Sequence, residues 1–143
     1  MTLHRRPLGR GRFVAAVSAI LILVGSFLPW FRVGGSDGIP PLEGNAFTGA
    51  GILVFLAGLA TLALVALPFA AGDRPVALDR WWAYAAVTAV AVIGLVLRVA
   101  GIAAEGGGLE VMLPDRAPGL WLVAAGVIGL VFATAELYGE RRE

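Results

Sequence analysis

Residues 46–71 read AFTGAGILVFLAGLATLALVALPFAA and contain no charged side chain. An apolar run of this length is typical of a helix that crosses a bilayer, because the hydrocarbon core takes about 20 such residues to span. Three further apolar runs accompany it, so the sequence predicts four transmembrane spans, at about 13–31, 46–71, 81–104 and 118–138. The connections are short, and residues 1–143 are therefore predicted to form a single integral membrane domain with a basic cytoplasmic tail at 1–12.

The composition also indicates that the solvent of this chain is lipid. Of its 143 residues, 59% are hydrophobic and 15% are charged, whereas soluble domains carry about 25% charged residues. Cysteine is absent and the one histidine, His4, lies in the tail. Disulfide and thiolate chemistry is thereby excluded, as is a bis-histidine haem held within the chain. We expect no catalytic residues, no cofactor, no bound metal and no nucleic-acid partner.

The arginines are distributed unequally between the two sides of the spans. Eight lie in the tail, the second loop and the C-terminus: Arg5, Arg6, Arg10, Arg12, Arg74, Arg80, Arg141 and Arg142. The first and third loops hold Arg32 and Arg116. Because short cytoplasmic loops carry the excess of basic residues, the pattern predicts an all-α four-helix transmembrane bundle, up-down-up-down, with both termini in the cytoplasm. Trp30 and Trp121 are then expected in the aromatic belt at the outer boundary. The belt at the inner boundary is expected to contain Phe13, Trp81, Trp82, Tyr84 and Tyr138.

Two charged residues lie within the predicted spans. Arg98 lies roughly 25 Å along its helix from Trp81, at 1.5 Å per residue, and so near the outer boundary. It is interpreted as an anion or headgroup site, as a partner for an acid on another subunit, or as an arginine that snorkels to water and pairs with an outer acid of this chain. Those acids are Glu105, Glu110 and Asp115. Glu136, near the inner boundary, is expected to pair with Arg141 or Arg142.

The outer loops offer the remaining polar groups. Their carboxylates are Asp37, Glu43, Glu105, Glu110 and Asp115. These lack the spacing of a dedicated calcium loop, so solvated loop charge is the favoured interpretation. Residues 109–113 alternate weakly and could pair with Arg32, Val33 and Ile39 in a small sheet that joins the two outer loops. Asn45 is a candidate cap for the second helix.

Small residues recur at four-residue steps in the last span, at Ala125, Gly129 and Ala133. Such a stripe lets two helix backbones approach closely, either inside the bundle or between molecules. Together with Trp30, Arg98 and Trp121, these residues are the candidate interface or headgroup contacts.

Residues 25–30 read GSFLPW, and Phe47-Thr48-Gly49-Ala50-Gly51 opens the second span. In these features the chain resembles the small four-span membrane proteins of GC-rich bacteria that carry a GSFLPW-type end to the first helix. The resemblance covers about residues 20–60. It implies a four-span bacterial protein and no established activity. The topology is similar to that of claudin-like four-helix proteins by analogy alone, since the paired cysteines and the W-GLW loop signature of claudins are absent.

Three functional hypotheses follow from these observations. The leading one is a non-enzymatic protein of the bacterial plasma (inner) membrane, a structural or accessory subunit that acts through helix packing. Its partners would be the lipid bilayer and other membrane-protein subunits or further copies of itself. The second is a small channel, carrier or lipid-binding protein. The third is a membrane enzyme that acts on lipid headgroups with outer-loop carboxylates such as Glu43 or Glu110.

Overall fold

The computed structural model describes residues 8–35, 38–72, 74–106 and 108–142. Four α-helices make up most of it: α1 (Arg10–Phe27), α2 (Gly51–Ala70), α3 (Trp81–Ala104) and α4 (Pro118–Glu140). By length and composition, each is long and apolar enough to cross a membrane. The chain is therefore a mostly helical protein of the multi-pass membrane class. Asp37 and most of the basic tail lie outside the described residues.

The first outer loop holds a short antiparallel sheet of β1 (Phe31–Val33) and β2 (Leu42–Gly44). Arg32 lies opposite Glu43 in this sheet, and the two side chains form an ion pair. The predicted sheet between the two outer loops is wrong, because residues 109–112 form a 3-10 helix instead. That 3-10 helix still contacts β1, so the two outer loops do meet.

The first two helices differ from their predicted spans: both stop short on the side of the first outer loop, and α1 begins earlier than predicted, at Arg10, inside the predicted tail. Helix α1 ends at Phe27 rather than Phe31, and Leu28 is extended, because Pro29 disfavours helical geometry in the residue before it. Helix α2 begins at Gly51 rather than residue 46, and Ala50 occupies its N-cap position. Asn45 does not cap it. The Asn45 side chain accepts a hydrogen bond from the backbone N–H of Phe47 at 3.0 Å, which closes a local turn.

The third and fourth spans agree more closely with the sequence prediction. Helix α3 has the predicted bounds, and α4 extends two residues beyond its predicted end to Glu140. Pro118 occupies the first turn of α4, as predicted, where its missing N–H would have had no helical partner.

Helices α1 and α4 pack against each other most closely, through glycines that face the partner helix. A Cβ on Gly25 would lie 2.7 Å from Cγ2 of Val123, and one on Gly126 would lie 2.7 Å from Cγ1 of Ile22. Near the other end of the pair, a Cβ on Gly11 would lie 3.1 Å from Cγ of Leu137. Close backbone approach at small residues is the usual way in which apolar helices associate in lipid.

Helix α3 packs closely against α2 and more loosely against α4. Gly94 of α3 faces α2, where an added Cβ would lie 3.0 Å from Cγ2 of Val54. Helices α3 and α4 meet at a hydrogen bond of 2.9 Å between the hydroxyls of Thr88 and Thr134, and they leave a groove on one face. We call the end of the bundle that carries β1 and β2 the sheet end. The opposite end, where α1 and α3 begin and α4 finishes, is the terminal end.

Candidate functional site

A cavity of about 500 Å³ opens at the terminal end of the bundle. We call it the terminal cavity. Residues from α1, from the connection before α3, and from α3 and α4 form its wall: Arg12, Asp79, Arg80, Trp81, Trp82, Tyr84, Leu137, Glu140 and Arg141. The wall combines guanidinium groups, carboxylates and aromatic rings, which is the chemistry of a membrane–water boundary.

One pair of opposite charges in the terminal cavity is neutralised within the protein. Nη2 of Arg12 donates to both carboxylate oxygens of Asp79, at 2.8 and 2.9 Å, and Nε donates to Oδ1 at 3.2 Å. Both side chains are largely shielded, with exposed fractions of 28% and 20%. A two-pronged, charge-assisted contact of this kind fixes geometry as well as adding energy. The pair ties the start of α1 to the residues that precede α3.

The other charges of the cavity are more available. Arg80 and Glu140 are exposed, and Cζ of Arg141 lies 5.9 Å from the ring centroid of Trp81. Among the described residues, three arginines and two carboxylates line the cavity, which gives this part of its wall a formal charge of +1. Because Arg12 and Asp79 pair with each other, the described lining then offers two guanidinium groups and a single carboxylate. The cavity is therefore a basic, aromatic site.

Tyr84 brings a buried polar group to the wall of this cavity, beside Arg12 and Asp79. The residue is 2% exposed, and its hydroxyl has no partner of good hydrogen-bond geometry among the described residues. A buried hydroxyl without a partner costs about 1–3 kcal/mol relative to a paired one. An acceptor atom that reached this hydroxyl through the cavity wall would recover that free energy.

The groove between α3 and α4 is apolar, with a volume of about 380 Å³. We call it the α3–α4 groove. Its lining consists of small and aliphatic side chains with two threonines: Ala85, Thr88, Ala89, Val92, Ile93, Val131 and Thr134. This lining makes the groove suited to hydrocarbon and not to a charged or strongly polar ligand.

The terminal cavity and the α3–α4 groove follow one another along the same pair of helices. On α3, Trp81 lines the cavity, and Ala85 and Thr88 line the groove at positions i+4 and i+7 of the same face. On α4, Thr134 lines the groove, and Leu137 lies one turn nearer the terminal end in the cavity wall. The basic cavity and the apolar groove are therefore neighbours on one helix pair, although they share no lining residue.

The structure contradicts one interpretation of Arg98, that of an arginine that snorkels to water. The residue is only 4% exposed, which shows that its side chain is buried within the protein. Nη2 donates to Oγ1 of Thr48 at 2.8 Å, and the guanidinium lies 5.6 Å from the ring centroid of Phe31. Nε has no hydrogen-bond partner among the described residues. Instead of pairing with an acid of the third loop, Arg98 fastens the first outer loop to α3.

Trp30 is also buried where the sequence predicted an exposed belt residue. Its exposed fraction is 0%, and Nε1 donates to the carbonyl of Gly25 at 3.0 Å. Its backbone N–H bonds the carbonyl of Gly44, which extends the pairing of β1 and β2 towards α1. Trp121, by contrast, is 52% exposed, with Nε1 bonded to the carbonyl of Met112 at 2.8 Å.

Glu136 pairs across the terminal end rather than along its own helix. Its Oε1 lies 3.3 Å from Nε of Arg10 in α1, so the predicted pairing with Arg141 or Arg142 is wrong. Arg142 instead donates to the hydroxyl of Tyr138 at 3.0 Å. The contact of Glu136 with Arg10 adds a second polar link between α1 and the rest of the bundle.

The small residues of α4 are divided between two environments. Ala133 is 1% exposed, and a Cβ on Gly129 would overlap Oγ of Ser18 in α1. Ala125 is exposed. Two of the three stripe residues thus pack inside the protein, against or near α1.

The sequence interpretation missed the assembly of the terminal cavity, although its components were visible. Arg80 immediately precedes Trp81-Trp82, and Tyr84 follows two residues later, so basic and aromatic residues are concentrated at one predicted boundary. What the sequence did not show is the pairing of Arg12 with Asp79 over a separation of 67 residues.

The described part of the chain holds no group of three or more His, Cys, Asp or Glu side chains that could bind a metal ion. No protein-family model matches the chain, and no similar curated protein or solved structure was found.

Proposed function

We propose that this protein is a non-enzymatic, lipid-binding protein of the bacterial plasma membrane. It holds one membrane lipid along α3 and α4, with the headgroup in the terminal cavity and an acyl chain in the α3–α4 groove. The observation that carries this proposal is the succession of a basic, aromatic cavity and an apolar groove along one helix pair. An amphipathic ligand matches both parts, whereas a soluble ion or a purely apolar molecule matches one.

The dimensions support a small amphipathic ligand. The two volumes, about 500 and 380 Å³, fall in the range of roughly 300–1,000 Å³ that ligand sites occupy. Basic pockets between transmembrane helices on the cytoplasmic side commonly bind phospholipid headgroups. The rings of Trp81 and Trp82 suit the headgroup level of the bilayer.

The proposal includes an up-down-up-down topology with both termini in the cytoplasm. Contacts between the start of α1 and the end of α4, and between Trp81 and Tyr138 at 5.0 Å, support opposite directions for these neighbouring helices. The excess of arginine around the terminal end supports a cytoplasmic location for it. The terminal cavity would then face the inner leaflet.

The other hypotheses have less geometric support. An accessory subunit acting through helix packing remains a prediction, but Gly129 and Ala133 of its proposed seam pack internally. An enzyme using outer-loop carboxylates also remains a prediction, and Glu43, one of its two named residues, is held in an ion pair with Arg32. For a channel or carrier, neither the terminal cavity nor the α3–α4 groove supplies a continuous polar path across the bundle.

Filling the groove tests the proposed function. In the purified, delipidated protein, native mass spectrometry would measure the fraction that retains one added phospholipid. We expect Ala89→Phe, which places a ring in the groove, to lower this fraction several-fold. The matched control is Ala86→Phe, on an exposed position of α3 that does not line the groove. Equal lipid retention by both variants and the unaltered protein would refute the proposal.

A further inference from the structure

The lining of the terminal cavity narrows the class of lipid that it would hold. Resting on the lipid-binding function proposed above, we infer that the cavity recognises the phosphate of an anionic phospholipid, in preference to a zwitterionic one. Arg80 and Arg141 supply the positive charge, and the Tyr84 hydroxyl supplies a directed hydrogen bond. The ligand is a phospholipid rather than free phosphate, because an apolar groove follows the cavity along the same two helices and matches an acyl chain.

The balance of charge favours a net negative headgroup. Arg12 and Asp79 satisfy each other through three hydrogen bonds and contribute little net charge to a ligand. Among the described lining residues, Glu140 is then the one other charged group beside Arg80 and Arg141. A zwitterionic headgroup carries an ammonium group as well as a phosphate, and the ammonium would add a positive charge to a site that is already positive. A headgroup with net charge of about −1 would neutralise the site instead.

The arrangement of Arg141 suits a phosphate at the membrane boundary. Its guanidinium lies 5.9 Å from the Trp81 ring centroid, so one face is held while its N–H edges stay available. Planar guanidinium groups bind phosphate through parallel N–H donors. Arg80 immediately precedes α3 and lines the same cavity, which allows two guanidinium groups to converge on one phosphate.

Tyr84 contributes a different kind of recognition. Its buried hydroxyl has no partner among the described residues, and it lies in the cavity wall where Arg12 and Asp79 already satisfy each other. A phosphate oxygen would accept from this hydroxyl whatever the rest of the headgroup is. Tyr84 is therefore assigned to phosphate binding in general, and the arginines are assigned to the preference for negative charge.

The experiment compares phosphatidylglycerol with phosphatidylcholine of identical acyl chains, each added to the full-length, delipidated protein and quantified by native mass spectrometry. We expect the unaltered protein to favour phosphatidylglycerol. Arg80→Gln and Arg141→Gln should each reduce that preference about fivefold, since one interfacial arginine contributes on the order of 1 kcal/mol. Tyr84→Phe should weaken both lipids alike. The matched control is Arg74→Gln, which removes an exposed arginine that does not line the cavity.

Three outcomes separate this inference from the proposed function. Equal binding of the two lipids, with the Ala89→Phe effect intact, would overturn the anionic preference and leave lipid binding in place. Loss of preference in Arg74→Gln as large as in Arg80→Gln would reduce the effect to general surface charge and overturn the site. Displacement of phosphatidylglycerol by inorganic phosphate, beyond that by chloride of equal ionic strength, would assign the cavity to the free ion. A thermal unfolding curve for each variant distinguishes lost binding from lost folding.

Discussion

Nη2 of Arg98 in α3 donates a hydrogen bond of 2.8 Å to Oγ1 of Thr48, which lies in the connection that leads into α2. The guanidinium is buried, at 4% exposure, and its face lies 5.6 Å from the Phe31 ring centroid. A hydroxyl and an aromatic ring thus hold a buried cation at the sheet end. Burying a charge with so few partners is costly, so the loop and helix that surround it should be strongly coupled.

The first prediction removes the hydroxyl from this contact. Thr48→Val keeps the shape of the side chain and leaves a buried guanidinium N–H without its acceptor, which we expect to lower the free energy of unfolding by about 1–3 kcal/mol. Thr48→Ser is the matched control, since it retains the hydroxyl and should cost much less. Denaturant titration in detergent measures both variants. Because the Thr48 hydroxyl also donates to the Asn45 carbonyl at 2.9 Å, a Thr48→Val protein as stable as the unaltered one would show that neither hydrogen bond contributes to stability.

The same contact shows how far the sequence determines the fold. Hydrophobic run length predicted all four helices, because each must satisfy its backbone internally over the full bilayer thickness. Distance along α3 also placed Arg98 towards the outer end. The direction of its side chain depends on where Thr48 and Phe31 lie, and those positions follow from the sheet in the first loop. The orientation of the Arg98 side chain is therefore determined by residues that are distant from it in sequence. Neither hydrophobic periodicity nor composition predicts such an orientation.

The second prediction concerns the small residues of α4. Gly129→Leu should lower the free energy of unfolding by about 1–3 kcal/mol, the usual cost of overpacking. Even a Cβ at this position would overlap Oγ of Ser18 in α1. Ala125→Leu, on an exposed position of the same stripe, should be close to neutral. Thermal unfolding in detergent, with sedimentation to monitor association, measures both effects. If Gly129→Leu changed association and left unfolding untouched, the stripe would be an intermolecular seam instead.

The third prediction tests the ion pair at the terminal end. Asp79→Asn and Arg12→Gln should each destabilise the protein, and a double-mutant cycle should give a coupling energy of about 1 kcal/mol, because the contact is two-pronged and partly shielded. Arg10 and Glu136 provide the comparison: Arg10 is 85% exposed, so their coupling should be smaller. Additive effects of the Arg12 and Asp79 substitutions would contradict the structural role given to this pair.

The candidate site was less predictable than the helices for a related physical reason. Basic and aromatic residues around Trp81 indicated a membrane boundary, which is a property of local sequence. A cavity, however, forms where the side chains of neighbouring helices leave space between them, and local sequence does not report that space. Its existence depends on the looser packing of α3 against α4 and on Arg12 reaching Asp79 from another helix. The burial of Trp30 likewise depends on a contact between side chain and backbone: Nε1 donates to the Gly25 carbonyl, whose i+4 helical partner would be Pro29, a residue without an N–H.

The fourth prediction concerns topology, and the absence of cysteine makes it direct to test. Single cysteines at Glu110, in the 3-10 helix, and at Arg74, in the connection after α2, would both lie at exposed positions. With the termini in the cytoplasm, a membrane-impermeant maleimide added to intact cells should label Glu110→Cys and leave Arg74→Cys unlabelled until the membrane is opened. The reverse pattern would invert the protein in the membrane and place the terminal cavity on the outer leaflet. Labelling of both positions in intact cells would contradict a cytoplasmic location of Arg74.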